Sequence, residues 1–131
     1  MSSTNKILVD TSVWIDFFRS GKSKHVECLI DYLKNQRVVL CGIVELEIVQ
    51  GVRNKETEIV EDFFGELEYV DISRSDFQLA GNLISRMRKI GITESFQDSL
   101  IAAVCINHKL KLLTNDSDFR HFPDLSIVNL D

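Results

Sequence analysis

The sequence predicts an α/β fold with a mostly parallel sheet, and three observations lead to it. Short apolar runs of strand length alternate with longer segments whose apolar residues recur every three or four positions. This alternation is typical of parallel strands joined by helices. Two of the strand-like runs lead into an aspartate, Asp10 and Asp116, at the strand ends where α/β sheets bind ligands. With 131 residues, six glycines and one proline, the chain is expected to form one domain, 1–131.

The first half of the chain is predicted to hold two strands and four helices. The runs "KILVD" and "RVVLCG" are apolar enough to be buried strands. The segment between them opens with Trp14, Phe17 and Phe18 on one helical face, and Thr11 or Ser12 can cap this helix. In order, the predicted elements are strand 6–10, helix 11–21, helix 24–35, strand 37–42, helix 43–54 and helix 56–67.

The second half is predicted to hold three strands and two longer helices. The segment "SRSDFQLAGNLISRMRKIG" has an apolar stripe at helical spacing and a closing glycine. The segment "SFQDSLIAAVCINHK" is apolar on nearly every side, which predicts a buried helix. In order, the predicted elements are strand 68–72, helix 73–91, helix 95–109, strand 111–114 and strand 126–130.

Composition and charge argue against several classes of protein. The longest uncharged apolar run, 100–106, is far shorter than the roughly 20 residues that a membrane-spanning helix needs. Cys28, Cys41 and Cys105 form no Cys-x-x-Cys pair, so neither a disulfide framework nor a zinc ribbon is predicted. The first residues are polar and unlike a signal peptide, and a cytoplasmic location is expected. The net charge of −5 at first argues against a nucleic-acid partner.

Several acidic residues could be functional, but most have a structural alternative. Asp10 can cap the helix that follows it, because aspartate is a favoured N-cap residue. Asp98 comes three positions after Ser95, a spacing that resembles a capping box. Asp116 and Asp118 stand among asparagine and serine, which favour turns. Each of these acids alone is explained by local structure.

Glu47 is harder to explain by local structure. The residues three and four positions away on its helix are apolar or small, and an unpaired buried carboxylate is costly. Gly51, one turn later, leaves space for a ligand to approach. Glu45 is the competing candidate, since it lies two positions earlier and faces elsewhere.

Taken together, acids at strand ends and helix starts of such a fold converge on one cleft. Three or four carboxylates within a few ångströms repel one another, and some would be forced to take up protons. A divalent cation resolves this conflict, and oxygen ligands suit Mg²⁺ or Mn²⁺. Because such a metal activates water and stabilises charge on a phosphate, the acids predict phosphodiester hydrolysis.

Three stretches carry these acids, and each has a recognisable form. The first is "LVDTSVWIDFFRSG", the second is Glu47-x-x-x-Gly51, and the third is "QDSLIAAVCINHKLKLLTNDSDF". In order and spacing they resemble the motifs of PIN-domain proteins, particularly the VapC-type ribonuclease toxins of bacterial toxin–antitoxin pairs. The resemblance covers nearly the whole chain.

The resemblance implies a fold, an activity and a set of partners. The fold is a three-layer α/β/α sandwich around a mostly parallel sheet of about five strands. The activity is that of a Mg²⁺- or Mn²⁺-dependent endoribonuclease acting on tRNA or ribosomal RNA. A cognate VapB-like antitoxin would hold it inactive, covering the acidic cleft or a nearby apolar groove. A homodimer, or a larger toxin–antitoxin assembly, is implied in the same way.

The resemblance also implies a role for each site residue. Asp10 and Asp98 are the expected direct ligands of the metal, and Asp116 binds it directly or through water. Glu47 completes the catalytic quartet with these three aspartates. Residues expected to support the quartet by hydrogen bonds or from a turn are Thr11, Ser12, Thr114 and Asp118.

When the four acids of the quartet are left out of the count, the net charge of the chain no longer argues against RNA as a substrate. Twenty acidic residues face 15 basic ones, and without the quartet the count is 16 against 15, a net charge of −1. Phosphate contacts position RNA without reading its sequence. The candidates for such contacts, with plain surface charge as their alternative, are Arg19, Lys22, Lys24, Arg53 and Lys55. The three histidines, His25, His108 and His121, have no metal-ligand spacing and are not predicted to act.

Three other classes of protein could carry acids at the strand ends of an α/β fold. A phospho-acceptor receiver domain needs adjacent acids after its first strand and a lysine after a late strand, whereas "LVDTSV" and "SIVNLD" offer neither. A phosphatase of the haloacid-dehalogenase type needs Asp-x-Asp, whereas Thr11 and Ser12 follow Asp10. A non-catalytic PIN-type interaction module stays open, because intact acids show capacity and not activity.

Overall fold

The computed structural model describes residues 5–130, in which strands and helices alternate as the sequence predicts. All six predicted helices form, and their bounds agree with the predicted ones within a few residues. In chain order the elements are β1 (Ile7–Val9), α1 (Thr11–Phe18), α2 (Lys24–Lys34), β2 (Val38–Cys41), α3 (Gly42–Gly51), α4 (Asn54–Gly65), β3 (Glu68–Val70), α5 (Arg74–Lys89), α6 (Phe96–His108), β4 (Lys111–Leu113) and a 3₁₀ helix (Ser117–His121).

The sheet has the strand order β3-β2-β1-β4, and every pair is parallel. Leu8 of β1 pairs with Val39 on one side and with Leu112 on the other. The chain runs outward from β1 to β3 and then returns to β4, so the strand order reverses beside β1. Ligands of open α/β sheets bind at such a reversal, outside the carboxyl ends of the strands. Asp10 and Thr114 are the residues that directly follow β1 and β4.

Helices cover both faces of the sheet and bury its strands. Because strand–helix–strand crossovers are right-handed, α1 to α4 lie on one face and α5 and α6 on the other, which gives the predicted three layers. The residues of β1 and β2 are all buried, as expected for a parallel sheet that is covered twice. The α/β class predicted from the sequence is therefore confirmed.

An aromatic cluster fixes α1 against α4. The Trp14 ring is fully buried and meets Phe64 edge-on with ring centroids 5.1 Å apart. It also stacks on Phe18 at 5.8 Å and meets Phe17 and Phe63 edge-on. The Trp14 indole nitrogen is the one buried side-chain polar atom between residues 5 and 130 that has no hydrogen-bond partner. These rings anchor the helix whose first turn carries Thr11 and Ser12.

The predicted number of about five strands is wrong by one within residues 5–130. The segment 126–130 forms a single bridge, which pairs Leu112 with Ile127, and no strand. Two backbone hydrogen bonds make this bridge, from the Leu112 amide to Ser126 and from the Val128 amide to Leu112, each 2.9 Å long. Because β4 has only three residues, it offers a short edge to a fifth strand.

Two local predictions also differ from the structure. Neither Thr11 nor Ser12 caps α1, because Asp10 is the N-cap residue and its carboxylate accepts the Thr11 amide. The turn predicted around Asp116 and Asp118 continues into the 3₁₀ helix, with Asp116 as its N-cap. Over residues 5–130, no helix has the length and apolar character required to cross a membrane.

Candidate active site

Asp10 is held rigidly at the end of β1. It is 6% exposed, and its backbone amide donates to the carbonyl of Leu113 on the neighbouring strand. Three donors fix its carboxylate, each at 2.8 Å: the Thr11 amide on Oδ1, and the Ser12 and Thr114 hydroxyls on Oδ2. Asp10 therefore caps α1 while its carboxylate is held at the candidate site.

Thr114 joins Asp10 to Asp116. Its hydroxyl donates to Asp10 and accepts the backbone amide of Asp116 at 3.0 Å. Asp116 in turn accepts the backbone amide of Asp118 at 2.9 Å. The Asp118 side chain is exposed, so Asp118 contributes to this arrangement through its backbone. The two strand-end aspartates are thus fixed relative to each other by a buried hydroxyl.

Glu47, and not Glu45, faces these aspartates. The Thr11 hydroxyl donates to Glu47 Oε1 at 2.8 Å, which links α3 to the first turn of α1. Glu45 lies near Tyr69, whose pKa is raised by burial first and then by the negative charge of Glu45. The choice between the two glutamates that the sequence left open is therefore decided by the fold.

Asp98 faces the other acids from the first turn of α6. The Ser95 hydroxyl accepts the Asp98 amide at 3.0 Å, but the return bond of a capping box is not formed among the described residues. Burial, and then the negative charges of Asp10, Asp116, Glu94 and Glu47, raise the pKa of Asp98 to about 6. The other three acids of the predicted quartet, Asp10, Glu47 and Asp116, therefore lie close enough to Asp98 for their charges to act on its carboxyl group.

Glu94 is an acid of this site that the sequence analysis missed. Its side chain is only 5% exposed, and Oε2 lies 2.7 Å from Nδ1 of His121. Its charge is one of those that raise the pKa of Asp98. In the sequence, the one feature that could have indicated Glu94 is its position four residues before Asp98. A glutamate in a loop is usually exposed to solvent, so this position alone does not indicate a site residue.

The acid group fits a divalent cation by charge and by donor chemistry. Burial and then the acidic neighbours make ionisation of Asp98 less favourable, and a cation would offset that cost. Carboxylate oxygens are the donors that Mg²⁺ and Mn²⁺ prefer. Within residues 5–130, however, no three Asp, Glu, His or Cys side chains are already close enough to hold a metal. The acids of the described residues are close enough to interact electrostatically, but their side chains do not yet form the coordination shell of a metal ion.

The structure distributes the remaining candidates around this group. Arg19 and Arg53 line a cavity together with Glu47, whereas Lys22, Lys24 and Lys55 do not line it. Of the three histidines, His25 lines a smaller cavity together with Asp116, His108 lies 3.3 Å from Asp76, and His121 contacts Glu94.

Comparisons with known proteins define the family. Residues 7–125 match the model of the PIN domain. The chain therefore belongs to the PIN-domain family. Among curated proteins, a VapC ribonuclease of Mycobacterium bovis is 30% identical over 118 residues, which span 86% of this chain and 88% of that protein. The resemblance seen in the three motifs is thus confirmed.

Solved structures share the fold over nearly their whole length. VapBC2 from Rickettsia felis, bound to a DNA fragment from its promoter, contains a chain that is 25% identical with a TM-score of 0.79, covering 95% of this chain and 98% of that one. A toxin–antitoxin complex from Klebsiella pneumoniae contains a chain of the same fold, 19% identical with a TM-score of 0.75, covering 96% and 98%.

Proposed function

We propose that this chain is a Mg²⁺- or Mn²⁺-dependent endoribonuclease and the toxin of a type II toxin–antitoxin pair. The observation that supports it most is the raised pKa of Asp98, because four other acids surround this carboxyl at the switch point of the sheet. A ribonuclease also fits the curated VapC relatives of the chain. The substrate class proposed is tRNA or ribosomal RNA.

The metal would be held by Asp10, Asp98 and Asp116. When bound, a divalent cation supplies positive charge to a phosphate oxygen and acidifies the attacking water. Asp10 is already oriented by its three hydrogen bonds, and Thr114 carries that orientation to Asp116. Asp98 must lose its proton to bind a cation, because carboxylates bind metals in their ionised form.

Glu47 is proposed to accept the proton of the attacking water. Thr11 fixes its Oε1, and its other oxygen has no hydrogen-bond partner among the described residues. The water oxygen attacks phosphorus, Glu47 takes a proton from it, and the bond from phosphorus to the leaving ribose oxygen breaks. Solvent returns a proton to that leaving oxygen. Because water attacks directly, no covalent enzyme intermediate forms.

RNA cleavage by the purified chain tests this proposal. Total tRNA and a structured RNA are incubated with Mg²⁺, Mn²⁺ or EDTA, beside an Asp98→Asn variant purified in the same way. An Asp62→Asn variant, changed on the exposed face of α4, is the matched control. Defined cuts that need metal, persist in Asp62→Asn and vanish in Asp98→Asn are the expected result. A folded protein that binds metal and cuts no RNA would instead be the non-catalytic interaction module.

The proposed partner is a VapB-like antitoxin that covers the acid group or a nearby apolar groove. This proposal draws on the family and on the toxin–antitoxin complex of the same fold from Klebsiella pneumoniae. Protection of α1 and α6 from proteolysis in the presence of a co-expressed antitoxin would support it, and unchanged cleavage of both helices would contradict it. A homodimer and a cytoplasmic location are proposed from the family resemblance and remain to be measured.

A further inference from the structure

Two cavities adjoin the acid group, and each is lined by one member of the quartet. A cavity of about 300 Å³ includes Glu47 in its wall, together with Arg19 and Arg53. A smaller cavity of about 140 Å³ includes Asp116, together with His25 and Arg120. Glu47 and Asp116 therefore each border a recess that contains cationic or hydrogen-bonding side chains.

The arginines of these cavities have no acidic partner. Arg19, Arg53 and Arg120 are exposed and, like the other arginines of residues 5–130, form no ion pair. What distinguishes these three is that they line the cavities that contain Glu47 or Asp116. A planar guanidinium without a partner is suited to bind phosphate through two parallel hydrogen bonds.

The two cavities differ in size and in lining. The larger is at the lower limit of ordinary ligand pockets, and Ile15, Phe18 and Ile48 give it an apolar wall. The smaller is well below that limit, and Asn115 and Ser117 make its wall polar. A nucleotide with its base fits the chemistry of the first, and a phosphate alone fits that of the second.

We propose that a single RNA strand crosses the acid group from the Arg19–Arg53 cavity to the Arg120–His25 cavity. The larger cavity takes an unstacked base with its phosphate, and the smaller takes a phosphate on the other side of the bond to be cut. Recognition of splayed single-stranded bases is the usual way in which proteins read RNA. This inference depends on the proposed ribonuclease function and assigns the residues that would hold its substrate.

Glu56 also lines the larger cavity and bears on the expected affinity. With Glu47 it balances the charges of Arg19 and Arg53, so this cavity has little net charge of its own. Binding should therefore be weak and depend on both arginines. The sequence patterns do not indicate Arg120 or His25, and only the cavity they share with Asp116 brings them to the acids.

Binding of RNA without cleavage tests the charged residues. A fluorescent single-stranded oligoribonucleotide of about 12 nucleotides is titrated with Asp98→Asn protein in EDTA, at several salt concentrations. The variants carry Arg19→Gln with Arg53→Gln, or His25→Gln with Arg120→Gln. Each pair should weaken binding about tenfold and reduce the salt dependence by about 0.7 for each lost phosphate contact. The matched control for the Arg19 and Arg53 pair, Arg74→Gln with Arg88→Gln on α5, removes the same charge from residues that line neither cavity.

A neutral substitution tests the larger cavity independently of charge. Gly51 lines it, and a Cβ added there meets no atom within 4 Å, so Gly51→Leu fills space without straining the fold. Gly65→Leu is the control, because Gly65 also ends a helix in open space and lines neither cavity. Gly51→Leu should weaken RNA binding at least about fivefold, and Gly65→Leu should leave it unchanged.

The outcomes separate this inference from the proposed function. If the arginine and Gly51 variants bind RNA as the parent does, or if the α5 control weakens binding equally, the path is wrong even though the wild type cuts RNA. If the parent does not bind the oligonucleotide, the path is also wrong. If binding depends on both cavities but the wild type cuts nothing with metal, the path stands and the ribonuclease proposal fails.

Discussion

Asp76 and Asp98 occupy equivalent positions in two neighbouring helices, yet their surroundings are opposite. Each comes three residues after a serine N-cap, Ser73 for α5 and Ser95 for α6. The sequence signature of a capping box is thus present twice. In α5 the box is complete, whereas in α6 only the serine bond is formed.

Asp76 is surrounded by donors. It is completely buried, and its carboxylate accepts the Ser73 amide at 2.9 Å, the Asn107 side chain at 2.7 Å and the His108 ring at 3.3 Å. Burial alone would raise the pKa of Asp76, but these hydrogen bonds outweigh it and lower the pKa. Asp76 therefore ties the start of α5 to the end of α6.

Asp98 is surrounded by acids. Its pKa of about 6 reflects burial and four negative neighbours, and its carboxylate has no hydrogen-bond donor among the described residues. The comparison teaches that a local capping motif does not decide whether an acid is structural. Partners from distant parts of the chain decide it: donors from the end of α6 for Asp76, and acids from β1, α3 and the turn after β4 for Asp98.

The largest expected difference between the two aspartates is in RNA cleavage. Asp98→Asn removes a proposed metal ligand and should lower cleavage by about a hundredfold or more, since loss of even an outer-shell partner costs 10- to 100-fold. Asp76→Asn should leave the rate per folded molecule within about twofold, because the charge of Asp76 is not among those that raise the pKa of Asp98. Single-turnover cleavage, corrected for the folded fraction, measures both. Equal losses in the two variants would remove the distinction.

Stability should show the reverse difference. Asp76→Asn disturbs the four hydrogen bonds that Ser73, Asn107 and His108 make to the buried carboxylate and should reduce the free energy of unfolding by about 2 kcal/mol. Asp98→Asn removes a repelled charge and should not destabilise the metal-free protein. Urea unfolding at pH 7.5 in EDTA measures both changes. A destabilised Asp98→Asn variant would show that Asp98 is a structural residue after all.

A smaller effect is expected at the hydroxyl that joins two of the acids. Thr114→Val keeps the shape but removes the bond to Asp10 and the acceptor of the Asp116 amide. We expect cleavage to fall about tenfold, as for other residues that orient metal ligands, and the free energy of unfolding to fall by about 1 kcal/mol. Thr57→Val, on an exposed turn of α4, is the control for the loss of a threonine hydroxyl. An unaffected Thr114→Val would mean that Asp10 and Asp116 are oriented without it.

The smallest effect concerns pH, and the two aspartates should give opposite signs. The pKa of Asp98 is raised in the folded state, so its contribution to stability is complete below about pH 4 and is lost as pH rises through about 6. Because Asp98 is partly exposed, solvent screening limits this loss to about 1 kcal/mol. The pKa of Asp76 is lowered, so its contribution is present above about pH 4 and is lost as pH falls below that. The free energy of unfolding, measured from pH 3 to 8 in EDTA, should fall below about pH 4 because of Asp76 and between about pH 4 and 6 because of Asp98. The Asp98→Asn variant should lack the second decrease.

Much of the fold could be predicted from the sequence because the patterns are local. Buried runs such as the one that ends at Asp10 predict strands, and the stripe of α5 predicts its length within two residues at either end. The segment 126–130 was overpredicted, because its apolar residues resemble a strand while pairing in the structure is limited to one bridge at Ile127.

The site could be predicted only in part, because electrostatics depends on residues far apart in sequence. The motifs predict the four acids as candidates, and the folded chain brings the other three within electrostatic reach of Asp98. That Glu47 and not Glu45 lies among them follows from its hydrogen bond to Thr11. Glu94 was missed, since only the folded chain brings it to His121 and within reach of Asp98. The cavity that His25 and Arg120 share with Asp116 could not be predicted for the same reason, because it joins α2 to the 3₁₀ helix.

The central claim is that a divalent cation relieves the repulsion around Asp98. Calorimetric titration of Mn²⁺, in two buffers with different ionisation enthalpies, measures binding and proton release together. Asp98 is about half protonated at pH 6, so binding there should release about half a proton, and this release should disappear at pH 8. Asp98→Asn should bind far more weakly and release no proton at either pH. Equal binding by both proteins, or no proton release from the wild type at pH 6, would contradict the claim.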